Sequence, residues 1–237
     1  FTMAALTALL PVVLANNQTT SSIATNSQST TAENNAPSSF IEFNGSDQYM
    51  MIPHHADFNI TTTESFTVSC WVKRNVLEAD TRFVVKRVKN NATIKSGYEL
   101  WGNGISSQFF AVNSPNNTGD HNNSVSVYSN IPGYAGEWHH IAFVIDRTAG
   151  IMYEYHNGTA VANSGIKPIA PWECTNTYDV LVGAGFSEED TPNYFLNGAI
   201  GGLHFYKRAL SAEEITADAT AEVGPETDGL VAAYDFQ

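Results

Sequence analysis

The regular alternation of apolar and polar residues restricts the fold of this chain more than any other feature. The run at residues 66–73 reads Phe-Thr-Val-Ser-Cys-Trp-Val-Lys, with Phe, Val, Cys and Val at every second position. A period of two places those four side chains on one face of a β-strand, where they can pack on a core. The pattern therefore predicts a strand with one buried face.

Similar short runs recur along most of the chain. They predict further strands at residues 39–43, 48–52, 83–88, 98–101, 108–112, 124–128, 138–146, 151–156, 180–183, 200–206 and 230–236. Asn-Gly pairs that begin at Asn44, Asn157 and Asn197 predict turns, because both residue types tolerate the positive φ of a hairpin. One helix is predicted at residues 210–219, where Ser211 and Glu214 form a capping box. So many short strands indicate an all-β sandwich or barrel.

Four stretches, in order, resemble laminin-G-like domains of the concanavalin-A-like jelly-roll class. They are residues 40–53 (FIEFNGSDQYMMIP), 66–73, 138–158 and 195–215. The resemblance implies one jelly-roll β-sandwich over residues 40–237, with a short helix near the C-terminus. Residues 229–236 (GLVAAYDF) resemble the strand after that helix, which either closes its own sandwich or pairs with a neighbour's edge.

Charge and glycosylation motifs point to an extracellular or cell-surface protein. The chain has 11 Lys and Arg against 24 Asp and Glu, so its net charge of −13 repels phosphate backbones and argues against nucleic acid as a partner. Sequons for N-glycosylation occur at Asn17, Asn44, Asn59, Asn91, Asn116, Asn122 and Asn157. Cys70 and Cys174 form either one disulfide or two buried thiols, and the sequence leaves both alternatives open.

Residues 1–15 (FTMAALTALLPVVLA) form an uncharged apolar run. One interpretation is the apolar part of a signal peptide, although no basic residues precede it. The other is an assembly or anchor segment: the run is shorter than the roughly 20 residues that span a bilayer as a helix, so a partner subunit would shelter it. Whether the chain contacts a membrane stays open.

The assembly interpretation leaves two forms for this segment. It enters a second copy either as a short helix that ends near Pro11 or as a strand added to a sheet edge. The Phe1-Thr2 start also resembles a mature type IV pilin, but Ala5 stands where that family has glutamate. Residues 16–39 are rich in Asn, Ser and Thr, the composition of a flexible tether. We therefore expect the sandwich to begin near Phe40 and the chain to form a homo-oligomer or filament.

Catalysis is not predicted. Glycosidases with a related sandwich place two carboxylates on one strand face, and no strand of this sequence has that pattern. The acidic run Glu188-Glu189-Asp190 is interpreted as an exposed loop, with a calcium loop as the alternative. His139 and His140 are adjacent on a predicted strand, so they point to opposite faces and cannot chelate one ion together.

The resemblance implies calcium as the one candidate cofactor, because many laminin-G-like domains bind it. Asn44, Asp47 and Asp235 are the candidate ligands, since Asn and Asp oxygens suit calcium. The sequence departs from the family pattern there: Asn44 stands where an Asp is common, and Gly201 and Gly202 stand where acidic residues are common.

Exposed aromatic rings provide the candidate ligand-binding residues. Trp101, Tyr134 and Trp172 fall near predicted loops, where a ring can stack on a sugar. The first functional hypothesis is a non-catalytic adhesion module for a glycan or protein ligand, displayed in an oligomeric surface assembly. The alternative is a structural subunit of an extracellular filament or pilus, held together by its N-terminal segment or by donor-strand insertion.

Overall fold

The computed structural model describes most of the region predicted to form the sandwich. It describes residues 13–14, 23–25, 36–77, 80–87, 95–104, 106–114, 124–130, 135–165, 174–186, 191–220, 224 and 226–236. Within this part of the chain, none of the helices has the length and apolar character needed to cross a membrane.

Nearly all regular structure is β. The strands are β1 (Val13–Leu14), β2 (Ile23–Thr25), β3 (Ser39–Asn44), β4 (Met50–Ile52), β5 (Phe66–Arg74), β6 (Thr81–Arg87), β7 (Lys95–Asn103), β8 (Ser106–Ser114), β9 (Ser124–Asn130), β10 (Trp138–Asp146), β11 (Ile151–His156), β12 (Thr159–Gly165), β13 (Val180–Val182), β14 (Gly185–Phe186), β15 (Pro192–Asn193), β16 (Asn197–Tyr206) and β17 (Leu230–Tyr234). A 3-10 turn spans Ala56–Phe58, and helix α1 spans Ala212–Asp218.

The strands form two large antiparallel sheets. The seven-stranded sheet has the order β1-β4-β13-β6-β7-β8-β9. The eight-stranded sheet has the order β12-β11-β10-β5-β16-β3-β2, with β17 added beside β16. β14 and β15 form a separate two-stranded hairpin. Two sheets with an apolar layer between them are the jelly-roll sandwich that the sequence predicts.

The core lies between the sheets and follows from the alternation. Phe66, Val68, Cys70 and Val72 of β5 all face it, and each is almost completely buried. Tyr98 and Leu100 of β7 face it from the other sheet. The intervening residues of each strand consequently occupy the two outer faces of the sandwich.

Helix α1 covers part of the outer face of the eight-stranded sheet. The Ser211 side chain accepts a hydrogen bond from the Glu214 amide, and the Glu214 side chain accepts one from the Ser211 amide, so the predicted capping box is confirmed. Ile215 is fully buried against an outer-face cluster that includes Val144, Tyr155 and Tyr206. The helix is thereby fixed on this sheet.

Two short strands lie in the region predicted as an apolar segment and a tether. β1 pairs with β4 through Val13↔Met51 and Leu14↔Met50, at one edge of the seven-stranded sheet. β2 pairs with β3 at one edge of the eight-stranded sheet, with Ile23 opposite Ile41. The stretch at residues 16–39 therefore includes β2 and the start of β3.

The predicted Asn-Gly turns and the last strand agree in part with the structure. The turn at Asn157-Gly158 is confirmed, because Asn157 and Gly158 have φ values of 47° and 78° between β11 and β12. The turn predicted at Asn197-Gly198 is wrong: both residues begin β16, where Gly198 approaches the Lys73 carbonyl too closely for any side chain. The last strand closes its own sandwich, since β17 pairs with β16.

Candidate functional site

A row of four register positions crosses the outer face of the seven-stranded sheet. Arg82 of β6 is opposite Trp101 of β7, Trp101 is opposite Gln108 of β8, and Gln108 is opposite Tyr128 of β9. Trp101 is half-buried, and Tyr128 is the most exposed large hydrophobic residue among those described, at 67%. Neighbouring strands lie about 4.8 Å apart, so the backbones at Trp101 and Tyr128 are about 10 Å apart. We call these four positions the outer row.

The guanidinium of Arg82 is held between two aromatic rings at one end of the outer row. Its central carbon lies 4.7 Å from the centre of the Trp101 ring and 4.5 Å from the centre of the Tyr194 ring. Contacts of this kind are attractive because the ring face carries partial negative charge. The two rings therefore hold the guanidinium at this end of the outer row.

Glu99 completes this arrangement. Arg82 Nε donates to Glu99 Oε2 at 3.1 Å, and Arg87 Nη1 donates to Glu99 Oε1 at 2.9 Å. Glu99 and Trp101 share a face because they are two residues apart on β7. Both carboxylate oxygens are therefore engaged by arginines, and the three side chains are only 11% to 19% exposed.

Tyr194 reaches Arg82 through an unusual backbone conformation. Its φ is 56°, a left-handed value that is rare for a bulky residue. The Tyr194 amide donates to Asn193 Oδ1 at 2.8 Å, and the Tyr194 carbonyl accepts from the Arg82 amide at 3.0 Å. This residue directly follows β15, so the β14–β15 hairpin places its ring over Arg82.

Only one of the three predicted ligand-binding aromatics can be placed. Trp101 lies in the outer row, whereas Tyr134 and Trp172 fall outside the described residues. Sequence reasoning missed Arg82, Glu99, Tyr128 and Tyr194. Glu99 and Trp101 are two residues apart on a predicted strand, and this spacing predicts that they share a face. It does not predict which strand pairs with theirs.

The three candidate calcium ligands do not converge. Asn44 Nδ2 donates to Asp47 Oδ1 at 2.7 Å, and Asn44 Oδ1 accepts from the Ser46 amide, so these two residues shape a turn. Asp235 instead accepts from His204 Nε2 at 3.1 Å. Asn44 pairs with Asn197 at the start of β16, while Tyr234, the neighbour of Asp235, pairs with Leu203. At about 3.3 Å per residue this places Asp235 roughly 17 Å along the strand from Asn44, so the three side chains do not meet.

Across the described ranges, no group of three or more His, Cys, Asp and Glu side chains is arranged to hold a metal ion. His139 and His140 point to opposite faces as predicted: His139 contacts His156 at 2.8 Å, and His140 faces Asp218 on the other side of the sheet. The acidic run at Glu188 lies outside the described residues.

Asp218 organises a buried polar network beneath α1. Ser69 Oγ and Tyr206 Oη each donate to its carboxylate at 2.5 Å, and His204 Nδ1 donates at 2.9 Å. Burial alone would raise the pKa of Asp218, but the hydrogen bonds and charges of His140 and His204 hold it well below its usual range. Against the opposing effect of burial, hydrogen bonds to Asp218 and Asp235 raise the pKa of His204 to about 9. The network is a charged pair that ties the helix to the sheet.

A second buried cation, Lys86, joins two loops at the other sheet. Its Nζ donates to the Tyr178 carbonyl at 2.7 Å and to Asn176 Oδ1 at 3.0 Å, and it lies 3.1 Å from His54 Nδ1. Burial lowers the pKa of Lys86 to about 8, partly opposed by Asp179, so the ammonium is mostly charged at neutral pH. Each of these contacts is to a group of the chain itself, so Lys86 has a structural role.

The inner face near the ends of β10 and β11 carries two further titratable groups. Glu154 is completely buried and accepts a hydrogen bond from Ser107. Burial raises its pKa to about 7, although hydrogen bonds from Ser107 and Ser129 oppose the shift. Burial and the neighbouring His139 and His140 lower the pKa of His156 to about 4. At neutral pH His156 is therefore neutral, whereas Glu154 is about half protonated.

The cysteines and sequons can be placed in part. Cys70 and Cys174 are both buried as thiols, so the structure does not contain the disulfide alternative. Burial raises the pKa of the Cys70 thiol to about 12.

Of the sequons, Asn44 and Asn157 are exposed and Asn59 is partly buried. Asn17, Asn91, Asn116 and Asn122 lie outside the described residues.

The chain matches a known family over well over half of its length. Residues 44–216 match the Laminin_G_3 model, described as the concanavalin A-like lectin/glucanases superfamily. The chain belongs to this family. No curated protein matches it in sequence. The outer row, Glu99 and Tyr194 all fall within the matched residues, whereas Asp218 and Asp235 lie beyond them.

Solved structures share the fold of this Laminin_G_3 domain. The botulinum neurotoxin serotype G binding domain aligns with a TM-score of 0.59 and 14% identity, over 90% of this chain and 47% of that one. The receptor-binding domain of botulinum neurotoxin D gives 0.60 and 14%, over 88% and 47%. The serotype D ligand-binding domain in complex with N-acetylneuraminic acid gives 0.59 and 15%, over 88% and 45%.

The Laminin_G_3 domain spans about half the length of these toxin domains. At this level of identity the alignments show a shared fold and no more. The ligand named for the serotype D domain is therefore a property of that protein.

Proposed function

We propose that this Laminin_G_3 domain is a non-catalytic saccharide-binding module that acts outside the cell. The observation that carries the proposal is the outer row. It presents Trp101 and Tyr128 on one open face, two strands apart, with an arginine at one end. Aromatic faces stack on the C–H faces of sugars, and polar groups placed beside them fix the hydroxyls. Two positions whose backbones are about 10 Å apart suit a short oligosaccharide rather than a single sugar.

The state of Glu99 supports binding rather than catalysis. A glycosidase needs one carboxyl group that gives up a proton and a second that acts as nucleophile or base. Both oxygens of Glu99 are held by Arg82 and Arg87, so neither oxygen is left to act on a ligand at the outer row.

Location outside the cell is part of the proposal. Exposed sequons at Asn44 and Asn157 support it, since oligosaccharyl addition requires an accessible asparagine. One structural relative is described as bound to N-acetylneuraminic acid, which agrees with saccharide recognition by proteins of this fold. Because the chain covers less than half of that protein, the relative does not indicate where on this domain a sugar would bind.

A glycan array with the intact chain tests the proposal, followed by titration of the strongest hit. Trp101→Ala and Tyr128→Ala are each expected to weaken binding about tenfold or more. Tyr153→Ala, on the outer face of the other sheet, is the control and should bind normally. Silence across a broad array, or equal affinity in all three variants, would reject the proposal. Cleavage of a bound oligosaccharide would reject its non-catalytic part.

We also propose assembly through the N-terminal residues as a second function. β1 and β2 each pair with an edge of the chain's own sheets, over two and three residues. An edge that accepts a strand from its own chain can accept the same strand from a second copy, as in strand exchange. Light scattering of the full chain and of a form lacking residues 1–35 tests this. Loss of oligomers on deletion supports assembly, and an identical mass for both forms refutes it.

A further inference from the structure

The outer edges of the two large sheets differ in how they are protected. Among the strands that the structure describes, the seven-stranded sheet ends at β1 and β9, and the eight-stranded sheet ends at β2 and β12. An edge strand directs part of its backbone N–H and C=O groups away from its sheet, where a strand from another chain can bind them. Proteins block such edges with very short strands, bulges, charged residues or proline. An edge without any of these features is open to another strand.

Three of the four edges are blocked in one of these ways. β1 and β2 pair with their sheets over only two and three residues. β12 contains a bulge, because Val161 has no partner in its ladder with β11, between the paired residues Ala160 and Ala162. A bulge interrupts the row of backbone groups that an added strand would need.

β9 has none of these features. It spans seven residues, Ser124–Asn130, and its sequence Ser-Val-Ser-Val-Tyr-Ser-Asn contains no charge and no proline. Its ladder with β8 runs over the whole strand without a register shift. Ser126 and Tyr128 are exposed on the outer face, whereas Val127 is buried on the inner face. β9 is therefore a regular, uncharged edge strand.

The absence of charge on β9 favours a second copy of this chain as the partner. The chain carries 24 acidic residues against 11 basic ones, so two copies repel each other at long range. A contact between copies must therefore be made where no acidic side chains face each other, and β9 meets this condition over its whole length. A partner of opposite charge would find nothing on this strand to bind.

The alternation along β9 matches an antiparallel copy of itself. If Val127 lies opposite the same residue of the second copy, Ser126 of each copy lies opposite Tyr128 of the other. Residues paired in this way point to the same side of a sheet, so the buried side chains continue one core layer and the exposed ones one outer face. Two-fold pairing of a surface with itself is the commonest arrangement in homo-oligomers.

We propose that two copies of this domain pair through β9 in an antiparallel, two-fold arrangement, so that their seven-stranded sheets form one continuous sheet. The dimer brings both outer rows onto one face, with the Tyr128 ends at the two-fold axis and the Arg82 ends farthest from it. The pairing itself depends neither on saccharide binding nor on exchange of N-terminal strands. Its consequence rests on the proposed saccharide function: a dimer with two outer rows binds a glycan-covered surface bivalently and hence more tightly.

Light scattering of the full chain over a dilution series tests the pairing. The protein is produced without N-glycans, because the sequon at Asn122 lies two residues before β9. We expect wild type to be dimeric at about 100 μM, and Ser126→Lys to have a dimer dissociation constant at least about tenfold higher, since like charges then face each other beside the two-fold axis.

The control is Thr63→Lys, at an exposed position between the 3-10 turn and β5. It should dimerise like wild type. Both substitutions make the chain less acidic by one charge, so a loss of the dimer in Ser126→Lys alone cannot come from stronger overall repulsion. Circular dichroism checks that both variants are folded.

A spin label locates the interface independently of mass. Ser126→Cys is labelled with a nitroxide, whereas the native thiols of Cys70 and Cys174 are buried and should not react. Adjacent strands lie about 4.8 Å apart, so β9 pairing should place the two labels within about 20 Å of each other. Pulsed electron resonance measures this distance.

The outcomes separate β9 pairing from the proposed functions. A wild-type chain that stays monomeric at about 100 μM overturns the pairing, as does a dimer that Ser126→Lys does not weaken or whose labels lie more than about 30 Å apart. Loss of every oligomer on deletion of residues 1–35 also overturns it and assigns assembly to the N-terminal strands. Silence of the glycan array rejects saccharide binding, whereas the dimer and its label distance stay as expected.

Discussion

The two outer faces of the sandwich each carry a buried polar cluster, and the clusters differ in how their central groups are paired. Under α1, on the eight-stranded sheet, Asp218 is surrounded by Ser69, Tyr206, His204 and His140. On the seven-stranded sheet, Arg82 Nη1 and Trp101 Nε1 have no acceptor among the described residues. A buried donor without a partner costs about 1–3 kcal/mol, so folding alone would not favour it. The difference supports the proposal that the first face serves stability and the second a ligand.

The largest loss of stability is expected from removing Asp218, the centre of the polar network under α1. Asp218→Ala should lower the free energy of unfolding by about 3–5 kcal/mol, because it leaves the His204 charge buried without its main partner. Chemical denaturation measures the loss. Asp228, whose side chain is 94% exposed beside Arg208, is the control, and Asp228→Ala should change stability by less than about 0.5 kcal/mol. Equal effects of the two substitutions would remove the structural role of the network.

The next effect concerns Glu154, which lies between the two sheets rather than on either outer face. The pKa of Glu154 is raised from 4.5 to about 7, so its stabilising contribution is complete below pH 4.5 and is lost as the pH rises through 7. The stability of Glu154→Gln relative to wild type should therefore increase by roughly 3 kcal/mol between pH 4.5 and 8. Denaturation midpoints across this range measure it.

His156 provides a control of opposite sign. Its pKa is lowered from 6.5 to about 4, so its contribution is complete above pH 6.5 and is lost as the pH falls toward 4. His156→Gln should therefore gain stability relative to wild type on acidification, where Glu154→Gln loses it. Parallel pH profiles for the two variants would show that neither group is held neutral by burial.

The fold was largely predictable, because alternation is a local property. The strands at 138–146 and 151–156 and the capping box of α1 follow from neighbouring residues. β12 was missed because Ala, Asn, Ser and Gly, which have low strand propensity, make up most of it. Much of the candidate site depends on register between strands, which no local pattern encodes. Arg82 lies opposite Trp101 only because the pairing of β6 with β7 contains a register shift at Phe83. Tyr194, which contacts Arg82, follows a hairpin that lies more than 90 residues after Trp101 in the sequence.

The smallest effect on stability is expected at Tyr128, in contrast to Phe83, an aromatic residue of the same sheet that faces the core. Phe83 is 1% exposed, and Phe83→Ala should cost about 3–5 kcal/mol of stability through loss of buried area and a cavity. Tyr128 is 67% exposed, and Tyr128→Ala should change stability by no more than about 0.5 kcal/mol. Thermal unfolding of the two variants checks this. A large loss in Tyr128→Ala would mean that the ring packs on the sheet instead of standing ready for a ligand.

The central claim is that the outer row binds a saccharide, and Tyr128→Ala tests it most directly because the substitution is not expected to disturb the fold. The measurement is calorimetric titration of wild type and Tyr128→Ala with the strongest glycan-array hit, at matched unfolding temperature. The account predicts an affinity at least tenfold weaker in the variant. Equal affinities at equal stability would contradict it.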